Sequence, residues 1–209
     1  MHLYFIGGGN HVSEEFEGIL SHLKRHVTPS HKILLIPFAT EPSKIPGWYD
    51  TVKQAFELVG NHKVDVLYDD MPAKAMAEKI NQHDILYFTG GRPERLVEQL
   101  STHHLIPVLQ QFSGVMIGYS AGALAFCKDC IISKDKDYPQ TIILKGLDLV
   151  DFSVEVHYED TVDEELLPLS KNREIYALPN GSALCWRNGE LEFIHDIYYF
   201  HDSQKVKLA

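Results

Sequence analysis

A chain of 209 residues that is 44% hydrophobic is long enough for one α/β domain with a substantial core, and too apolar to be disordered. Its formal net charge of -10 argues against nucleic acid as the main partner, because phosphate binding needs a basic surface. No apolar run is long enough to cross a bilayer, so no membrane partner is expected.

The chain opens on Leu3-Tyr4-Phe5-Ile6, a strand-length apolar run with no basic leader or cleavage pattern around it, which predicts a cytoplasmic protein. Phe16, Ile19, Leu20 and Leu23 then recur at helical spacing. Ile33–Ile36 reads as a strand, and Tyr49, Val52, Phe56 and Val59 as a helical stripe. Val64 to Tyr68 is a third strand, Ala73 to Ile80 a helix, and Ile85–Phe88 a fourth strand ending at Thr89-Gly90-Gly91. Leu96, Val97 and Leu100 are helical, as is Leu105 to Gln111, and Val115 to Gly118 is a fifth strand. Strands without polar alternation, separated by helices, predict a doubly wound, mostly parallel central sheet covered on both faces. After Phe126 the pattern changes. Ile131-Ile132, Thr141 to Leu144, Ser153 to Val156, Glu174 to Leu178, Ala183 to Trp186 and Leu191 to Ile194 are short strand-like runs. Glu164 to Leu169 is the one helical stretch among them, and Asn180-Gly181 and Asn188-Gly189 mark turns. This part reads as a mixed, partly antiparallel C-terminal extension of a single domain spanning residues 1–209.

Three cysteines, Cys127, Cys130 and Cys185, argue against a disulfide framework. Cys127-Lys128-Asp129-Cys130 has redox or metal spacing, but no second pair accompanies it, so two ordinary thiols are expected. His103-His104 reads as a solvated helix start rather than as metal ligands. No metal and no organic cofactor is expected.

The chemistry centres on Gly118-Tyr119-Ser120-Ala121-Gly122, between the fifth strand run and a small-residue helix. A strand entering Gly-x-Ser-x-Gly and then a helix is the nucleophile-elbow pattern. The glycines allow the sharp turn that lifts the hydroxyl above the sheet edge, toward the first amides of the helix. The plainer alternative is a tight turn with Ser120 as N-cap. A serine needs a base to take its proton, most often a histidine. In open α/β sheets ligands sit at the carboxyl ends of strands, so a base should follow a strand. His157 does, at the end of Ser153–Val156.

Phe5-Ile6-Gly7-Gly8-Gly9-Asn10, Thr89-Gly90-Gly91, Gly118-Tyr119-Ser120-Ala121-Gly122-Ala123 and Val156-His157 resemble, in order and over nearly the whole chain, the motifs of peptidase family S51. That family includes the aspartyl dipeptidases and the cyanophycinases. The resemblance implies a class I glutamine amidotransferase-like fold, with Ser120 as nucleophile and His157 as general base. It also implies an oxyanion hole from the amides of Gly91 and Ala121, and aligns Asp135 with an aspartate that supports activity. Asp135 sits in Lys134-Asp135-Lys136-Asp137, which reads equally as a charged surface loop.

Two departures stand out. The dipeptidase branch places a glutamate after a Leu-Pro pair to orient the histidine, and here Leu178-Pro179 leads to Asn180. An asparagine holds a tautomer but adds no charge, and an Asp-to-Asn change in a serine triad costs about four orders of magnitude in rate. Glu155, two residues from His157 and expected on the same strand face, and Asp160, close in sequence, are the alternative third members. The arginine that grips the substrate carboxylate also lacks a clear counterpart, only Lys171 and Arg173 being near, and Arg92-Pro93 follows the glycine pair where Asn-Thr is commoner. The expectation is a serine hydrolase that cleaves a small peptide through an acyl-enzyme, as monomer or homodimer. The alternatives are a catalytically weak amidotransferase-like domain that binds a small ligand, and another amide or ester hydrolase.

Overall fold

The apolar runs become parallel strands, buried on both faces except at the sheet edge, where Asp65 is exposed. In the computed structural model, which describes residues 1–60 and 63–209, they are β1 (His2–Ile6), β2 (Ile33–Ile36), β3 (Val64–Val66), β4 (Ile85–Phe88) and β5 (Val115–Tyr119). Between and after them lie α1 (Glu17–Leu23), α2 (Ile45–Leu58), α3 (Ala73–Asn81), α4 (Pro93–Thr102), α5 (Ile106–Gln110) and α6 (Ala121–Phe126). Side chains one residue apart on a strand leave opposite faces, so each run feeds two cores. Leu3, Phe5, Leu86 and Phe88 pack with Met76, Ile80, Leu96 and Leu100 of α3 and α4. Tyr4, Ile6, Ile85 and Tyr87 pack with Ile19, Leu23, Val52 and Phe56 of α1 and α2. Helices therefore cover both faces, as the sequence pattern predicts.

The remaining elements are the hairpin of β6 (Asp129–Ile132) and β7 (Ile142–Lys145), then β8 (Ser153–Val156), α7 (Asp163–Leu169), β9 (Ile175–Leu178), β10 (Ala183–Arg187), β11 (Glu190–Ile194), β12 (Tyr198–His201) and β13 (Gln204–Lys207). The central sheet has the order β11-β10-β1-β5-β4-β2-β3, parallel except where β10 and β11 add an antiparallel edge. A second sheet has the order β13-β12-β9-β8, with β8 and β9 parallel. Its core is Ile131, Tyr158, Leu166, Ile175, Ala177 and Phe200. No helix among the described residues is long and apolar enough to cross a membrane.

Several boundaries differ from expectation for local reasons. The strand expected at Thr141–Leu144 runs one residue later, over Ile142–Lys145, where it pairs with β6, starting from Ile142 opposite Ile132. His103 and His104 close α4 instead of starting a helix, and His104 adopts a φ of 55°. The β12–β13 hairpin has no counterpart in the sequence reading. Its turn residues Asp202 and Ser203 both have positive φ, 48° and 57°, as a two-residue hairpin turn requires, yet neither is glycine or asparagine.

Candidate active site

β5 runs parallel between β1 and β4, and ends at Tyr119 opposite Ile6. The next amide, of Ser120, donates to Ile6 O at 2.9 Å, which ties the turn to β1. Ser120 has φ 50° and ψ -109°, a sparsely populated conformation for a non-glycine residue. Holding it there costs about 1–3 kcal/mol, so the surroundings must over-determine it. They do. Every residue of α6 is buried, and a Cβ on Gly122 would lie 2.7 Å from Phe88 O, so only glycine lets the helix start this close to β4. At its far end Phe126 meets Phe5 and Phe88 edge-on, with centroids 5.6 and 5.0 Å apart.

His157 and Asn180 come together because β8 and β9 are parallel neighbours with Val156 opposite Leu178. His157 follows β8 directly, and Asn180 lies one residue beyond Leu178-Pro179. His157 has φ 51°, and its amide donates to Gly7 O at 2.7 Å. The Pro179–Ser182 turn is closed by the Ser182 amide and hydroxyl, which donate to Pro179 O at 3.2 and 2.7 Å. It is also tied to the glycine run after β1, with the Gly181 amide donating to Gly8 O at 3.0 Å and the Gly7 amide to Ser182 O at 3.0 Å. A Cβ on Gly8 would lie 2.3 Å from both the His157 ring and Asn180 Oδ1. The glycine run thus stitches the ends of β1, β8 and β9 into one platform.

A continuous hydrogen-bond chain results. Ser120 Oγ lies 2.8 Å from His157 Nε2, and His157 Nδ1 lies 2.7 Å from Asn180 Oδ1. An amide oxygen only accepts, so the Nδ1 proton points to Asn180 and Nε2 is left to accept the serine hydroxyl. Gly91 and Ala121 line the same cleft of about 300 Å³ as Ser120 and His157. Gly91 sits at φ 134°, and the neighbouring Arg92 amide is anchored on Ala39 O at 2.8 Å. A larger concavity of about 720 Å³ lies between α2 and β3, lined by Tyr49, Val66 and Tyr68 among others, and shares no residue with the cleft.

The other candidate residues have different partners. Glu155 faces Ser133, accepting its hydroxyl at 2.5 Å, and not His157. The expectation of a shared strand face fails because His157 leaves the extended conformation at positive φ. Burial pushes the Glu155 carboxyl up to about 7; the Ser133 hydrogen bond opposes this, and the negative charges of Glu165 and Asp135 add to it. Asp160 accepts from Tyr158 Oη at 2.9 Å and Lys205 Nζ at 2.7 Å, also away from His157. Those bonds, Lys205 first, hold its carboxyl below the usual range. Asp135 lines the cleft, and its Oδ1 accepts the amides of Asp137 and Tyr138 at 2.7 and 2.8 Å, shaping the turn beside it. Arg173 is paired with Asp129 at 3.1 Å. Cys127 and Cys130 are buried, and burial pushes both thiols up, Cys130 to about 12. Ser133 and Tyr138 also line the cleft and went unnoticed in the sequence, although Ser133 directly follows the Ile131-Ile132 run.

The sequence profile described as peptidase family S51 matches residues 3–194. A Peptidase E of Nostoc sp. is 25% identical over 186 residues, covering 81% of this chain and 75% of that protein. A Peptidase E of Haemophilus influenzae is 26% identical over 173 residues, covering 75% and 77%. Among solved structures, a peptidase from an acI-B1 Actinobacterium superposes with a TM-score of 0.73 at 20% identity, covering 100% of this chain and 93% of that one. A putative Peptidase E protein from Listeria monocytogenes gives 0.71 at 20% identity, covering 92% and 96%. The two structures support the same α/β architecture. With the family profile spanning almost the whole length, the chain belongs to peptidase family S51.

Proposed function

We propose that this peptidase is of the serine type and cleaves small peptides through an acyl-enzyme. The observation that carries the reading is the hydrogen-bond chain from Ser120 through His157 to Asn180. His157 Nε2 takes the Ser120 proton as Oγ adds to the substrate carbonyl carbon. The amides of Gly91 and Ala121 receive the developing oxyanion. His157 then gives its proton to the leaving amine, the C–N bond breaks, and the acyl group remains on Oγ. A water molecule, deprotonated by the same nitrogen, adds to the ester carbonyl, and the proton returns to Ser120 as the acid leaves.

Asn180 fixes the imidazole tautomer without a formal charge, so the imidazolium formed in each step is stabilised only by a dipole. Turnover is accordingly expected to be slower than with a carboxylate in that place. A cleft of about 300 Å³ matches a substrate of one or two residues on the acyl side. The neutral Asn180 is also the observation that favours the rival reading, a catalytically weak domain that binds a small ligand. A dipeptide panel separates the two. Hydrolysis that disappears in Ser120→Ala supports the peptidase, whereas binding without hydrolysis supports the rival.

A further inference from the structure

The cleft beside Ser120 holds a carboxylate that the proposed chemistry does not use. Glu155 is 4% exposed and lines the same cleft as Ser120 and His157. Its Oε1 accepts the Ser133 hydroxyl, and an ionised carboxylate has room for further donors. Burying such a charge is costly unless it is paired. Among the described residues, no lysine or arginine forms an ion pair with Glu155. The lining of the cleft includes the aliphatic side chains of Leu124, Ile131, Ile132 and Val156. Glu155 lies on β8, before the turn at His157, and its carboxylate faces Ser133 instead of the Ser120–His157 pair. A carboxylate set apart from the reacting pair suits the end of a long side chain, and not a substrate α-amine, which stays beside the reacting carbonyl.

We propose that the acyl side of this cleft selects a residue with a cationic side chain, lysine or arginine, and that Glu155 is the carboxylate that receives its charge. The inference rests on the peptidase reading for the bond that is cut, and on the cleft alone for the selectivity. The aliphatic walls cover the methylene stem of the substrate side chain while its charged end reaches Glu155. Ser133 orients the carboxylate. The charged groups nearby favour a cation: Asp135 and Glu159 line the cleft with Glu155, against the single ammonium of Lys134, and Glu165 lies close enough to act on Glu155. His157 lies at the nucleophile end and Tyr138 on the wall. The free Glu155 carboxyl lies near 7, so the selectivity grows as pH rises through that range and the group ionises.

The test is calorimetric binding to the Ser120→Ala protein, which does not turn over. Lys-Leu is compared with norleucyl-Leu, its neutral counterpart of similar length. At pH 8 Lys-Leu is expected to bind about tenfold tighter or more, the scale of one charged hydrogen bond. At pH 5.5 the ratio should shrink severalfold. Ionisation of the peptide α-amine is common to both peptides and cancels in the ratio. Adding Glu155→Gln should remove most of the preference, and adding Glu155→Asp should retain part of it. Equal affinities at pH 8, a ratio that does not change with pH, or a preference that survives Glu155→Gln would each overturn the proposal. The pH series uses no Glu155 variant, so it decides even if Glu155→Gln fails to fold. Wild-type turnover of the same peptides separates the two readings. Selective binding without any hydrolysis removes the peptidase and leaves the cation subsite, whereas hydrolysis without lysine selectivity removes the subsite alone.

Discussion

Replacing Gly8 by alanine perturbs the platform that holds His157 and Asn180 while leaving both side chains in the sequence. The added Cβ would lie 2.3 Å from Asn180 Oδ1 and from Nδ1 and Cε1 of His157. Ordinary carbon contacts lie at about 3.5–4.0 Å, so at least ~1 Å of movement is needed. Gly8 also has φ 140°, which L side chains rarely adopt, adding about 1–3 kcal/mol of backbone strain. The moving parts are the imidazole and the amide that orients it, and a misplacement of about 1 Å at a reacting centre costs about a hundredfold in rate. Gly8→Ala is therefore expected to slow fluorophosphonate labelling of Ser120 about a hundredfold, with a lowered melting temperature but a folded circular dichroism spectrum. Gly47→Ala is the control. Its Cβ meets nothing within 4 Å, and it lies in α2, where alanine gains about 0.5–1 kcal/mol over glycine. Labelling of Gly8→Ala at the wild-type rate would refute the claim that the His157–Asn180 geometry activates Ser120.

Other outcomes follow from the same geometry. Asn180→Ala removes the acceptor of the imidazole Nδ1 proton, and turnover should fall about tenfold, the scale of one lost hydrogen bond; an unchanged pH–rate profile and rate would exclude Asn180 as the orienting group. Asn180→Asp places a negative charge beside the ring, which favours its protonated form, so the acidic limb of the profile should move to higher pH. Asp-Leu should show no advantage over Ala-Leu, because Arg173 is held by Asp129 and the cleft already contains carboxylates; an advantage of about a hundredfold would mean a cation reaches the substrate after all. Cys127 and Cys130 are buried thiols whose ionisation is suppressed, so Ellman's reagent should react with neither until the protein unfolds. Rapid native labelling of either would contradict that placement.

What could be read in the sequence follows the range of the interactions involved. The parallel strands were legible because each run must be apolar on both faces to sit between two helical layers, and Leu3-Tyr4-Phe5-Ile6 feeds both cores. The elbow was legible because the turn at Ser120 is made by adjacent residues. The β12–β13 hairpin was not, because Asp202 and Ser203 take positive φ with no glycine to announce it. His157 and Asn180, 23 residues apart, meet only through the parallel pairing of β8 with β9, which no local pattern encodes. Glu155 and His157 share a strand face only if extended backbone continues to His157. The backbone turns there instead, and Glu155 faces Ser133. The close approach of Gly8 to His157 was hidden for the same reason, since it joins segments from opposite ends of the chain.

The most direct test of the central claim is the rate and position of fluorophosphonate labelling, read by mass spectrometry on the intact protein and its peptides. The hydrogen-bond chain from Ser120 to Asn180 predicts one adduct, on Ser120, absent in Ser120→Ala and strongly slowed in His157→Ala, where no base takes the hydroxyl proton. An adduct that forms elsewhere, or one on Ser120 whose rate is the same with and without His157, would contradict the account.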